Sequence, residues 1–203
     1  MKKIILAACI ALASGSAFAQ SASKVDPALV DRYVQSMWSK VSDEWKARVK
    51  QDETQAICSA TLNAPSAAEF EKIVAREKAA VVFPADGKVM GDWKAGLKVA
   101  NTGTGGQFSD KPETYKGGNC YACHQMAPSE LSFGTLGPSL TGYGKARKFA
   151  PEEAKAAYAK IYNAQAVMAC SQMPRFGHNK FLTEQQMKDV TAFLFDPESP
   201  VNK

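Results

Sequence analysis

Apolar residues recur at helical spacing in several separated stretches of the chain. In "DPALVDRYVQSMWSKVSDEWKARV", residues 26–49, the positions Val30, Val34, Met37, Val41, Trp45 and Val49 fall close to one face. Asp26 stands as N-cap with Pro27 at the first helical position, so this stretch predicts one amphipathic helix or two. "SAAEFEKIVAREKAAVV" opens on a Ser66/Glu69 capping box and carries Phe70, Ile73, Val74 and Val81. "GDWKAGLKVAN" begins a further helix at Gly91, and "PEEAKAAYAKIYN" another, with Ala154, Ala157, Tyr158 and Ile161 on one face. Thr183 and Gln186 form a capping box for "TEQQMKDVTAFLFD", whose stripe is Met187, Val190, Phe193 and Leu194. This last helix is expected to cross the Gly91 helix, with Gly96 permitting close approach. Strand alternation persists nowhere and no repeat is visible, so the fold class is all-α.

The first residues change the picture of where such a chain resides. "MKKIILAACIALASGSAFAQ" has Lys2 and Lys3, an apolar run from Ile4 to Ala13, and small residues ending at Ala19. That is the pattern of a secretory signal peptide over residues 1–19, cleaved after Ala19. The run is too short for a membrane span, which needs roughly 20 apolar residues. "LAAC" at 6–9 has the form of a lipoprotein cleavage site. It leaves almost no apolar segment ahead of Cys9, where about 7–15 residues are needed. The formal net charge is +5, two of those charges being Lys2 and Lys3, and no Lys/Arg block of the nucleic-acid type occurs. A periplasmic protein with no membrane span and no nucleic-acid partner is expected.

Candidate chemistry centres on "GGNCYACHQM", residues 117–126. A structural zinc site needs four ligands, and the second Cys/His pair is missing. A thioredoxin-like motif wants a βαβ context and has no need of a trailing histidine. Cys-x-x-Cys-His in an exported chain instead fits one covalent haem c, on Cys120 and Cys123, with His124 as proximal ligand. "LGPSL", 136–140, supplies a proline carbonyl that can accept the His124 ring N–H. For the far side of the iron, Met173 in "CSQMPRFG" stands out, because Pro174 disfavours helix at Met173 and lets an extended segment present the thioether. Met126 is too close to His124, Met187 belongs to a helical stripe, and Met168 sits near a helix end. His178 offers a bis-histidine alternative, although "GHNK" reads as a solvated loop. A His/Met pair fills both axial positions, which suits electron transfer. Arg175 near the expected haem edge reads either as a steering charge for an acidic partner or as an ordinary solvated one. The two remaining thiols, Cys58 and Cys170, are expected to pair in an oxidising compartment. "TGTGGQFSDKPETYKGG" lacks the Gly-Lys-Ser/Thr ending of a phosphate cradle and reads as a surface loop.

In "GNCYACH" and "NAQAVMACSQMPRFGHNKFLTEQQMKDVTAFL" the chain resembles SoxX, the smaller monohaem subunit of SoxAX cytochromes, over about residues 88–197. The resemblance implies a class I cytochrome c domain at 88–203 behind an N-terminal helical extension at 20–87. It implies a heterodimer with a SoxA-like cytochrome subunit, acting in thiosulfate oxidation on the carrier protein SoxYZ and passing electrons to a downstream cytochrome c acceptor. By the same resemblance Cys120 and Cys123 attach haem and His124 and Met173 are axial ligands, while the catalytic cysteine of this L-cysteine S-thiosulfotransferase lies in the partner. A free-standing periplasmic cytochrome c electron shuttle is the alternative, and a haem-based ligand sensor a third, disfavoured by Met173.

Overall fold

Side-chain caps set where most of the helices begin. The computed structural model describes residues 25–203, so the leader expected at 1–19, with Cys9, lies outside the described residues. The chain divides into two compact units between Val49 and Lys50.

The first unit holds α1 (Pro27–Met37) and α2 (Asp43–Val49). Asp26 accepts the Ala28 N–H at 3.0 Å and Pro27 occupies the first turn, as the sequence pattern anticipates. The Trp38 and Trp45 rings stack with centroids 6.3 Å apart, and the Arg48 guanidinium lies 4.4 Å over Trp45. Neither helix buries a residue, and Leu29, Val30, Tyr33 and Met37 are exposed.

The second unit holds α3 (Glu53–Ala60), α4 (Ala67–Ala79), α5 (Trp93–Asn101), α6 (Tyr143–Ala146), α7 (Pro151–Tyr162) and α8 (Glu184–Phe195). Capping boxes start α4 from Ser66/Glu69 and α8 from Thr183/Gln186; a third, Asp52/Gln55, starts α3. Among the described residues there is no strand, and the fold is all-α.

The frame is the crossing of α5 and α8. A Cβ on Gly96 would overlap the Asp189 carbonyl and the Phe193 Cβ, so only glycine allows this approach. The Asp189 carboxylate accepts the Asp92 N–H at 2.9 Å and the Gln185 amide at 2.7 Å, and the Gly91 N–H donates to the Lys188 carbonyl at 3.0 Å. Behind the crossing, Val99, Met126, Tyr158, Ile161, Met187 and Phe193 form the core. The chain end closes it: Asn202 Oδ1 accepts the Gly144 and Lys145 N–H groups of α6, and its Nδ2 donates to the Leu194 and Asp196 carbonyls.

A smaller cluster joins α3 and α4 to the segment after α7. Ile73 packs with Ala169 and with Cys58 and Cys170, which are joined by a disulfide across 112 residues of chain. The α3–α4 pair, read from sequence as part of the extension, therefore belongs to the same compact unit as the Cys-x-x-Cys-His stretch.

Candidate functional site

Asn119 takes a left-handed backbone, φ +47°, and turns the chain into a short 3-10 turn at Cys120–Ala122. The Cys123 and His124 N–H groups both donate to the Cys120 carbonyl, at 3.1 and 2.9 Å. The two thiols thus stand on one tight turn with His124 directly behind, and both are free. Cys120 packs against the main core. Burial pushes its thiol up to about 12, with the neighbouring Cys123 adding to the shift.

The loop at 134–140 is zipped onto this turn. Gly134 N–H donates to the Tyr121 carbonyl at 2.9 Å, Gly137 N–H to that of Cys123 at 2.8 Å, and Leu140 N–H to that of Gln125 at 2.8 Å. These bonds bring the Pro138 carbonyl to 2.7 Å from His124 Nδ1, the contact anticipated from "LGPSL". A carbonyl can only accept, so Nδ1 carries the proton and Nε2 keeps a bare lone pair facing away from it. Gly137 lies flat against the imidazole; a Cβ there would run into Cε1 and both ring nitrogens.

Among the methionines weighed as a second ligand, Met126 and Met187 are core residues at 1% and 3% exposure, and Met168 is more than half exposed. Met173 is half-buried against the same core as Cys120, three residues after the disulfide at Cys170.

Beyond Met173 the sequence reading needs correction. Arg175, read as a surface charge, is only 6% exposed, and His178 is no solvated loop residue. Arg175 Nη1 donates to Asp52 Oδ2 at 2.7 Å, and Nη2 donates to His178 Nε2 and lies 3.7 Å from Glu77 Oε2. Glu77, buried on α4, accepts from the Thr54 hydroxyl and from the Asn163 amide at 2.7 Å. For Asp52 and Glu77 burial raises the carboxyl, but hydrogen bonds and the Arg175 charge outweigh it and hold both below their ordinary range. Burial and the Arg175 charge push His178 down, against the opposing pull of Glu77 and Asp52. This cluster escaped the sequence reading. Its signals were an acid, Glu77, four residues after Ile73 on the apolar face of α4, and Asp52 three residues before Gln55.

An all-α frame that holds a Cys-x-x-Cys-His turn against a proline carbonyl defines a class I cytochrome c domain, and residues 108–196 match the Cytochrome c family. The chain carries covalently bound haem c and has a haem electron-transfer role, which calls for redox partners. It is 38% identical over 168 residues to an "Uncharacterized lipoprotein" of Aquifex aeolicus (strain VF5), with 81% of this chain and 79% of that protein aligned, and belongs to the same family. The protein is extracytoplasmic. No helix among the described residues is long and apolar enough to cross a membrane.

Proposed function

We propose that this chain is the electron-transfer subunit of a thiosulfate-oxidising complex of the SoxAX type, with haem on Cys120 and Cys123 and with His124 and Met173 as axial ligands. The observation that carries this reading is the run Met173-Pro174-Arg175-Phe176-Gly177-His178 beyond the Cys-x-x-Cys-His turn, the most specific part of the resemblance to SoxX. Bound there, the haem supplies one-electron redox chemistry. The chain's own residues hold and orient it. Pro138 fixes the His124 tautomer, which would leave Nε2 free to ligate the iron. The disulfide at Cys170 ties down the segment that leads into Met173. Joining thiosulfate sulfur to a carrier cysteine releases two electrons, which such a subunit relays singly to a downstream cytochrome c. The nucleophile for that chemistry belongs to a SoxA-like partner, since Cys58 and Cys170 are paired with each other.

Purified chain mixed with thiosulfate, a carrier thiol and an oxidised acceptor should give no conjugate. Adding the large SoxA-like subunit should restore turnover and reduce this haem. Conjugate made by the isolated chain would mean a complete enzyme. Failure to associate with any such subunit would leave the free electron shuttle.

The name of the Aquifex relative favours a second reading of the leader, in which "LAAC" is a lipid-attachment site at Cys9 rather than part of a leader cut after Ala19. Mass measurement of the mature N-terminus decides between a start at Gln20 and a lipid-modified Cys9.

A further inference from the structure

The first unit displays an apolar face that none of its described residues covers. Counted at about 100° per residue, Leu29, Val30, Tyr33, Val34 and Met37 of α1 lie within an arc of roughly 140°. Asp31, Arg32, Gln35 and Ser36 occupy the other side. Leu29, Val30, Tyr33 and Met37 are 45–66% exposed, and neither α1 nor α2 buries a residue. Helices of 11 and 7 residues are marginal in water and are held by packing an amphipathic face against something apolar. This face therefore calls for an occupant.

Position and charge select it. α1 is the first described element of the chain, and 17 residues separate it from Cys9, the lipid-attachment site of the "LAAC" reading. Even fully extended, that stretch spans at most about 65 Å, so an acyl chain on Cys9 would keep α1 within that distance of the bilayer. From Lys24 to Lys50 there are six basic residues and four acidic ones. Asp43 and Glu44 are paired with Lys46 and Arg48 at 3.1 and 2.6 Å. Lys24, Arg32, Lys40 and Lys50 then remain against Asp31 and the capping Asp26, a balance that suits anionic headgroups. We propose that α1 lies in the headgroup region of the anchoring membrane, with Leu29, Tyr33 and Met37 toward the acyl chains and Arg32 among the headgroups. An interfacial helix has one apolar face and one polar face, as α1 does, where a span is apolar all round. The lipid would tether the chain, and the helix would hold the first unit down on the surface. The inference deepens the lipid-attachment reading and rests on it for the nearness of a membrane; it does not depend on thiosulfate chemistry.

The test uses the holoprotein with its native N-terminus and vesicles of phosphatidylglycerol and phosphatidylethanolamine. Mass measurement of the N-terminus reads lipid attachment separately. On the vesicles, hydrogen exchange of the α1 amides should slow by at least about tenfold, while amides of α5 and α8 keep their rates. In the triple variant Leu29→Gln with Tyr33→Gln and Met37→Gln, which keeps good helix formers in place, that slowing should vanish although the lipidated chain still floats with the vesicles. A native lipidated chain that floats with its α1 amides unprotected overturns the proposal and leaves the lipid reading standing. A start at Gln20 removes the lipid reading. The proposal then survives only if that chain still binds the vesicles and loses binding by about tenfold in the triple variant. Protection of α1 by a SoxA-like subunit or a second copy of the chain, with none on vesicles, also overturns it. If the triple variant loses its helices, protection in the native chain decides.

Discussion

The imidazole of His124 is held by two neighbours that act through backbone, Pro138 by its carbonyl and Gly137 by its lack of a side chain. A methyl group on residue 137 would have to displace the ring from the Pro138 carbonyl. Gly137→Ala should therefore lower stability by about 1–3 kcal/mol through overpacking. It should also cut the haem content per chain and shift ferric iron toward high spin, both read by optical spectroscopy. Met173→Ala should abolish the far-red charge-transfer band of ferric His/Met haem and lower the potential, because the thioether raises it. His178→Ala should leave that band in place, since His178 Nε2 already accepts from Arg175. Loss of the band in His178→Ala with survival in Met173→Ala would reverse the ligand assignment.

At the scale of elements, the α5–α8 crossing works only while residue 96 has no side chain, because the Asp189 carbonyl and Phe193 Cβ occupy that space. Gly96→Val should destabilise the domain by at least about 1–3 kcal/mol, the usual penalty for an overfilled contact, in a denaturant titration. An unchanged midpoint would mean the helices slide apart without loss. That crossing, the two capping boxes at Ser66 and Thr183 and the Pro138 contact were legible in the sequence, because each rests on local residue chemistry or on periodicity. The Asp52–Glu77–Arg175–His178 cluster was not. It joins residues 123 apart in the chain, between Asp52 and Arg175, and a charged residue buried by distant partners looks in sequence like any solvated one. The apolar face of α1 marks another boundary: its spacing reads as helix correctly, yet Leu29, Val30, Tyr33 and Met37 are exposed. Periodicity shows which residues share a face but not what covers it.

In the second compact unit as a whole, two devices hold α3 and α4 to the segment bearing Met173: the Cys58–Cys170 disulfide and the buried ionic cluster. They respond to different agents, so they can be separated experimentally. By chain entropy, a cross-link closing a loop this long contributes up to roughly 4–5 kcal/mol. Cys58→Ser with Cys170→Ser should lower the urea midpoint accordingly, and the Met173-dependent band should melt before the covalently fixed haem spectrum is lost. The ionic cluster should respond to acid. His178 has its folded pKa below the ordinary 6.5, so the unfolded chain takes up its proton first. Its contribution is present above that value and is lost as pH falls from there to the folded pKa. Asp52 and Glu77, also depressed in the fold, keep their contribution above their ordinary values of 3.8 and 4.5 and lose it only on further acidification. Unfolding midpoints of the variant without the Cys58–Cys170 disulfide should thus decline in two stages, a first below about pH 6.5 and a second below about pH 4.5, and the first stage should vanish in His178→Ala. A single decline confined to the carboxylate range, identical with and without His178, would show that His178 does not titrate with the cluster.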